Sequence, residues 1–175
     1  MAQKMFPEMQ KKLGFGCMRL PMKDGRVDND EMIRMVDYFL ENGFNYFDTA
    51  HGYINGLSEL ALRDCLTGRH RREEYLLTNK LTAPYFKKKE DIRPFFEEQL
   101  KNCGVEYFDF YLMHALSAER HKQFTASNAY KVVAQLKAEG KLRHVGFSFH
   151  DSAEVLDQIL TEHPELEFVQ LQFNY

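Results

Sequence analysis

Five apolar, extended segments each end on a polar residue. Asp48 follows "FNYF", Lys80 follows "EYLLTN", His114 follows "YFDFYLM", Ser148 follows "RHVGF" and Asn174 follows "LEFVQLQF". The intervals are 32, 34, 34 and 26 residues, about the length of one strand and the helix that returns from it. Helical patterns fill the spaces. In "DNDEMIRMVDYFLENG" (28–43) Met32, Ile33, Val36, Phe39 and Leu40 form one apolar stripe, Asp28 or Asn29 can cap the start, and Gly43 supplies a left-handed stop. Further helices are predicted over 58–66 with Ser58 as cap, over 89–104 with Pro94 in the first turn, over 127–140 and over 152–163. One more short strand is expected within "KLGFGCMRLP" (12–21).

Regular alternation of this kind implies parallel strands joined by right-handed crossovers. Every polar residue of the set then stands at the carboxyl end of its own strand, and in a (β/α) barrel those ends converge on one face, where active sites form. An open doubly wound sheet would spread them along an edge instead. The first βα turn has no GxGxxG, and "GFG" at 14–16 is too short to count. The expected fold class is therefore α/β, a parallel TIM-type (β/α) barrel, forming one domain over 1–175. An eight-stranded barrel takes about 250 residues, and only six strands are found here. We therefore expect a fragment of a longer chain with two unpaired sheet edges open to self-association.

Composition excludes several classes. A net charge of −3 and a pI near 6.2 give no reason to expect nucleic acid or an anionic membrane as partner. The basic runs "RHRR" (69–72) and "KKK" (87–89) read as solvated loops. No stretch reaches the roughly 18 apolar residues of a membrane span, and "MAQKMFPEMQKK" lacks the apolar centre of a secretion signal. Cys17, Cys65 and Cys103 are far apart and form no CxxC. A cytoplasmic location fits these features.

Asp48, Tyr53, Lys80 and His114 together have a definite chemistry. A phenol is a poor proton donor at neutral pH, and a neighbouring ammonium favours its ionised form. A carboxylate can hold that ammonium in place. An imidazole opposite can donate to a carbonyl oxygen and aim it at the phenol. Side chains supply no hydride, so a nicotinamide cofactor is implied for carbonyl reduction. Each residue also has a plainer reading: Asp48 as a turn cap, Lys80 as a surface lysine, His114 as a structural histidine. No metal is indicated there, since none of the seven histidines forms HxH or HExxH and Lys80 would repel a cation.

These segments resemble the aldo-keto reductase superfamily over nearly the whole chain. "LGFGCMRLP" is similar to its opening strand, "NYFDTAHGY" to its Asp-x4-Tyr signature, "TNK" and "DFYLMH" to its lysine and histidine strands, and "GKLRHVGFS" to the approach to its fifth strand. Bacterial members with a ferredoxin-like extension look most similar. The resemblance implies reduction of an aldehyde or ketone by NADPH, with NADH as the alternative, Tyr53 as general acid and Lys80 as its activator. Asp48 pairs with Lys80, and His114 orients the carbonyl of a small-molecule substrate. It also implies that Ser148 and Gln170, with Asp48, hold the nicotinamide end, while Phe149 stands where the family often has asparagine. The family's phosphate contacts come mainly from loops after strands seven and eight, so these 175 residues should bind NADPH weakly. An iron–sulfur cluster would need ligands beyond Tyr175. The alternative function is a non-catalytic nucleotide-sensing or interaction module on the same scaffold. The rim residues Lys87, Lys88, Lys89, Arg120 and His121 suit an acidic or phosphorylated carbonyl compound, or are plain surface.

Overall fold

The computed structural model describes residues 6–173. Its main sheet has six parallel strands: β1 (Gly14–Gly16), β4 (Tyr46–Asp48), β5 (Leu76–Leu81), β6 (Phe108–Leu116), β7 (Leu142–Phe149) and β8 (Phe168–Leu171). They neighbour one another in chain order, and the registers Gly16↔Asp48, Asp48↔Thr78, Lys80↔Leu112 and Ser148↔Gln170 bring the polar strand ends to one side. A two-stranded antiparallel ribbon, β2 (Met22–Lys23) and β3 (Arg26–Val27), precedes the first helix.

Both faces of the middle strands are covered, as parallel strands require: all six residues of β5 are buried, whereas the edge strands β1 and β8 are largely exposed. Phe47, Leu77, Tyr111, Met113, Val145 and Phe147 belong to the large outer core. The helices over that layer are α1 (Asn29–Glu41), α2 (Leu57–Leu62), α3 (Lys89–Cys103), α4 (Ala118–Ala126), α5 (Ala129–Ala138) and α6 (Ala153–Glu162). On the inner face Leu76, Phe110 and Leu112 meet Phe6, Met9, Tyr46 and Phe168 in a second, smaller core. The sheet curls strongly enough for Phe168 to reach the ring of Phe110 at 5.4 Å. A Cβ on Gly146 would collide with the Phe168 carbonyl and ring, so glycine is what lets β8 cross there. The result is a curled half-barrel. A cavity of about 560 Å3 opens between its two edges, lined by Gly14 and Gly16 on one side and Phe168 and Gln170 on the other.

Several details depart from expectation. The hairpin was not anticipated, although its turn, Asp24–Gly25, has both residues at positive φ, the backbone that Asp-Gly favours in tight hairpins. α4 occupies a stretch read as loop. α2 starts at Leu57 after a left-handed Gly56, so Ser58 is not its cap but a buried residue within it. Pro94 is the sixth residue of α3 rather than part of its first turn; the Glu90 carbonyl loses the helical donor it would otherwise have. "RHRR" is not simply solvated: Arg69 and His70 grip Asp37, and Arg72 reaches the fully buried Asp109 at 2.6 Å. Lys87, Lys88 and Lys89 are exposed, as expected. No helix among the described residues is long and apolar enough to cross a membrane. Asn174 lies outside the described residues.

Candidate active site

The site forms where β4, β5 and β6 end. Lys80 is 1% exposed, and an ammonium so buried must find full compensation. It has three partners: Nζ donates to Asp48 Oδ1 at 2.6 Å, to the Thr49 carbonyl at 2.9 Å and to the Tyr53 hydroxyl at 3.1 Å. These account for all three of its protons. Asp48 and Lys80 lie on adjacent strands, each at its carboxyl end.

Tyr53 is brought back over these ends by an unusual turn. Ile54, Asn55 and Gly56 all have positive φ, at 51°, 53° and 88°. For a β-branched residue such as Ile54 this conformation is costly, of order 1–3 kcal/mol. The flanks of the turn are pinned. The Ser58 hydroxyl donates to the Cys17 carbonyl at 2.9 Å and meets Thr49 Oγ1 at 2.7 Å. Glu59, fully buried, accepts from Asn79 Nδ2 and Asn102 Nδ2 and bonds His51 Nδ1. That hydrogen bond raises the pKa of His51 against the opposing effect of its burial. Asn79 Oδ1 in turn accepts from the Lys80 backbone N–H and from Gln99 Nε2. The strained turn and the lysine strand thus share one hydrogen-bonded frame.

His114 faces Tyr53 edge-on, with ring centroids 6.0 Å apart. β6 does not stop there but continues through an irregularity, with Ala115 at φ 53° and the register shifting between Met113 and Leu116; such bulges re-aim side chains beside sites. Burial, then the charge of Lys80, then Arg120 and His150 push the imidazole down to about 3. It is therefore neutral at physiological pH. The Thr82 hydroxyl lies 2.8 Å from Nδ1; where it is the donor, the ring proton sits on Nε2.

Ser148 is buried and its Oγ accepts from the Ala115 N–H at 2.7 Å, which leaves the hydroxyl proton to donate. Gln170 is exposed, its Nε2 3.4 Å from Asp48 Oδ2. The structure thus gathers Asp48, Tyr53, Lys80 and His114 directly, with Ser148 one contact behind the β6 bulge and Gln170 reaching in from β8. Thr49, Ser58, Glu59, Asn79, Thr82 and Gln99 were missed. A signal existed for Glu59, a carboxylate in the apolar register of "LSELAL"; a backbone acceptor such as Thr49 has none. Among the basic rim residues, Arg120 is tied to the Ala115 carbonyl at 2.9 Å. His121 is no rim residue at all, being buried against Tyr130 and Glu162.

The sequence model of the Aldo/keto reductase family matches residues 12–175. The chain belongs to the aldo/keto reductase family. Among curated relatives it is 33% identical over 105 residues to human aldo-keto reductase family 1 member C3, covering 59% of this chain and 31% of that protein. It is 28% identical over 171 residues to probable aldo-keto reductase 1 of Glycine max, covering 93% and 48%. The chain therefore spans half or less of the length of these two relatives. Among solved structures, the holo form of an aldo-keto reductase from Bacillus halodurans superposes with a TM-score of 0.73 at 26% identity, covering 93% of this chain and 53% of that one. An aldo-keto reductase from Klebsiella pneumoniae in complex with NADPH gives 0.72 at 21%, covering 93% and 53%. The aldo/keto reductase assignment accounts for the curled parallel sheet and for the polar strand ends on one side of it.

Proposed function

We propose that the site performs the proton-transfer half of an NADPH-dependent reduction of an aldehyde or ketone, with Tyr53 as general acid. The observation that carries this reading is the Lys80 ammonium, dry and pinned between Asp48 and the Tyr53 hydroxyl. As Tyr53 gives its proton to the carbonyl oxygen, the phenolate oxygen gains charge 3.1 Å from that ammonium, in surroundings of low dielectric. Neutral His114, proton on Nε2, donates to the same carbonyl oxygen and orients it toward Tyr53. Asp48 and the Thr49 carbonyl keep Lys80 from following the moving charge.

The residues present fit a nicotinamide at the strand ends. The Ser148 hydroxyl has a proton free to give, and the Gln170 amide, exposed beside the cavity between the sheet edges, offers a donor and an acceptor to a carboxamide. Those two residues would hold its amide end. When bound, it supplies the hydride. Solved aldo-keto reductases of the same fold were crystallised with NADPH or with NADP, which supports a nicotinamide cofactor.

Mixed with NADPH and a panel of reactive aldehydes, the protein should consume the nicotinamide absorbance. Tyr53→Phe should lower that rate by about 10²–10⁴-fold. An unchanged rate would remove Tyr53 from its role, and tight NADPH binding without turnover across the panel would favour the non-catalytic alternative.

A further inference from the structure

Away from the mouth, three side chains with metal-binding atoms converge on the helical layer. His121 lies in the first turn of α4, Glu162 is the last residue of α6, and His163 is that helix's C-cap. One ligand atom from each lies within 4.8 Å of the others. From this cluster we infer a binding site for a divalent transition metal, Zn2+ being the natural occupant of two imidazoles and one carboxylate.

The argument rests on how the three are held. A metal site fixes each ligand through a second partner that engages its other polar atom, and here all three have one. His121 Nδ1 is 2.7 Å from the Tyr130 hydroxyl, which can accept a proton as readily as give one. Glu162 Oε1 accepts from Gln158 Nε2 at 2.8 Å, leaving Oε2 directed at His121 Nε2, also at 2.8 Å. His163 Nδ1 bonds the Glu165 carboxylate at 2.9 Å, and its ring stacks on Tyr130 at 3.6 Å. With those second partners kept, the atoms left for a metal are His121 Nε2, Glu162 Oε2 and His163 Nε2.

In a tetrahedral zinc site ligand atoms stand about 3.3 Å apart, so the three must draw together on binding from their separation of up to 4.8 Å. Glu162, 46% exposed at its side chain, is free to move. Its exposure also leaves the fourth position to water. Proton balance is simple. Without metal, His121 carries its proton on Nε2 and donates to Glu162. On binding, that proton shifts to Nδ1 and is donated to the Tyr130 oxygen, freeing the Nε2 lone pair. Two carboxylates, Glu162 and Glu165, against neutral imidazoles balance the dication. The metal would tie α4, which leaves the catalytic mouth directly after β6, to the end of α6.

Titrating the chelator-treated chain with Zn2+ should show one saturable equivalent, with a rise in thermal midpoint that follows zinc concentration. Glu162→Gln combined with His163→Asn should weaken binding at least about 100-fold, and Glu165→Gln alone about tenfold. His70→Asn, at a histidine outside the cluster, should leave affinity unchanged. Metal-free thermal midpoints of the variants establish that each is folded, and the Glu165→Gln arm does not disturb the three ligands. The absence of a saturable equivalent, or zinc lost equally from His70→Asn and from the double variant, overturns the site.

Discussion

The two ends of the half-barrel use buried charge in opposite ways. At the amino ends of the strands, Asp109 is fully buried and saturated. Arg72 donates to it at 2.6 Å, Arg143 at 2.8 Å and the Leu77 N–H at 2.8 Å, while Tyr107 lies under both guanidiniums. Nearby, His144 is held on both nitrogens, by Glu8 and Glu167. At the carboxyl ends Lys80 is equally buried, but its surroundings keep capacity in reserve. The Tyr53 hydroxyl proton and the Ser148 hydroxyl proton remain to be given, and among the described residues only one nitrogen of His114 is engaged, by Thr82. At the amino ends every acceptor bond of Asp109 is internal, although the buried Nε of Arg72 has no partner among the described residues. On the proposed function the other end is completed by what binds there, the division of labour expected of a barrel's bottom and top.

The largest effect that would test this contrast is at the floor. Asp109→Ala removes the buried acceptor shared by Arg72, the half-exposed Arg143 and the Leu77 N–H, and should cost about 3 kcal/mol in denaturant unfolding. Tyr53→Phe takes one of its three acceptors from the buried Lys80 ammonium and should cost about 1–3 kcal/mol while removing most turnover. If Asp109→Ala were nearly neutral and Tyr53→Phe strongly destabilising, the assignment of roles to the two ends would be reversed.

The next test uses pH. His114 at the mouth is depressed from 6.5 to about 3, chiefly by burial. The unfolded chain therefore binds a proton there that the folded chain refuses, and stability falls as pH drops from about 6.5 toward 3, by at most about 1.4 kcal/mol per unit. At the floor, burial raises Glu167, but Lys137, His144 and the Val145 N–H outweigh it, so its pKa lies below the usual 4.5. Its contribution is present above pH 4.5 and is lost only as pH falls further. Acid unfolding should thus begin at the mouth and be joined by the floor. In His114→Asn the loss between pH 6.5 and 4.5 should disappear and the later one persist. A variant that keeps the full early loss places that titration elsewhere.

The contrast also explains what could be read in the sequence. Asp48, Lys80, His114 and Ser148 were legible because strands repeat at nearly constant spacing, and a polar residue after an apolar run stands out. The crossovers with strong stripes, α1, α3, α5 and α6, were legible for the same reason. α4 was not, because its buried face consists of His121 and Phe124 only, too little for a periodic signal. In the left-handed turn Asn55–Gly56 is a pair that favours positive φ, a signal passed over, whereas nothing local favours it at Ile54, where the surrounding hydrogen bonds impose it. The frame of Glu59, Asn79 and Gln99 links residues 20 apart in each pair, which no local pattern records. The floor escaped for a related reason: Arg72 and Asp109 each look like a solvated charge until the strands bring them together. The capping role assigned to Ser58 failed because a serine ahead of an apolar run is ambiguous, and here its hydroxyl serves Cys17 and Thr49 instead.

The smallest expected effect separates the middle of the sheet from its edge. Ser148 and Gln170 are register partners on neighbouring strands, both proposed to meet the nicotinamide amide. Ser148 is buried and already accepts from the half-buried Ala115 N–H, so Ser148→Ala takes that donor's partner away and should cost about 1 kcal/mol. Gln170 is exposed and makes one long contact, so Gln170→Ala should change stability by less than about 0.5 kcal/mol. Its loss should appear in the bound state, as NADPH binding weakened by roughly tenfold or less, the worth of one hydrogen bond. Equal destabilisation by the two variants would mean that β8 is as tightly held as β7. The mouth would then have no slack side from which a cofactor could enter.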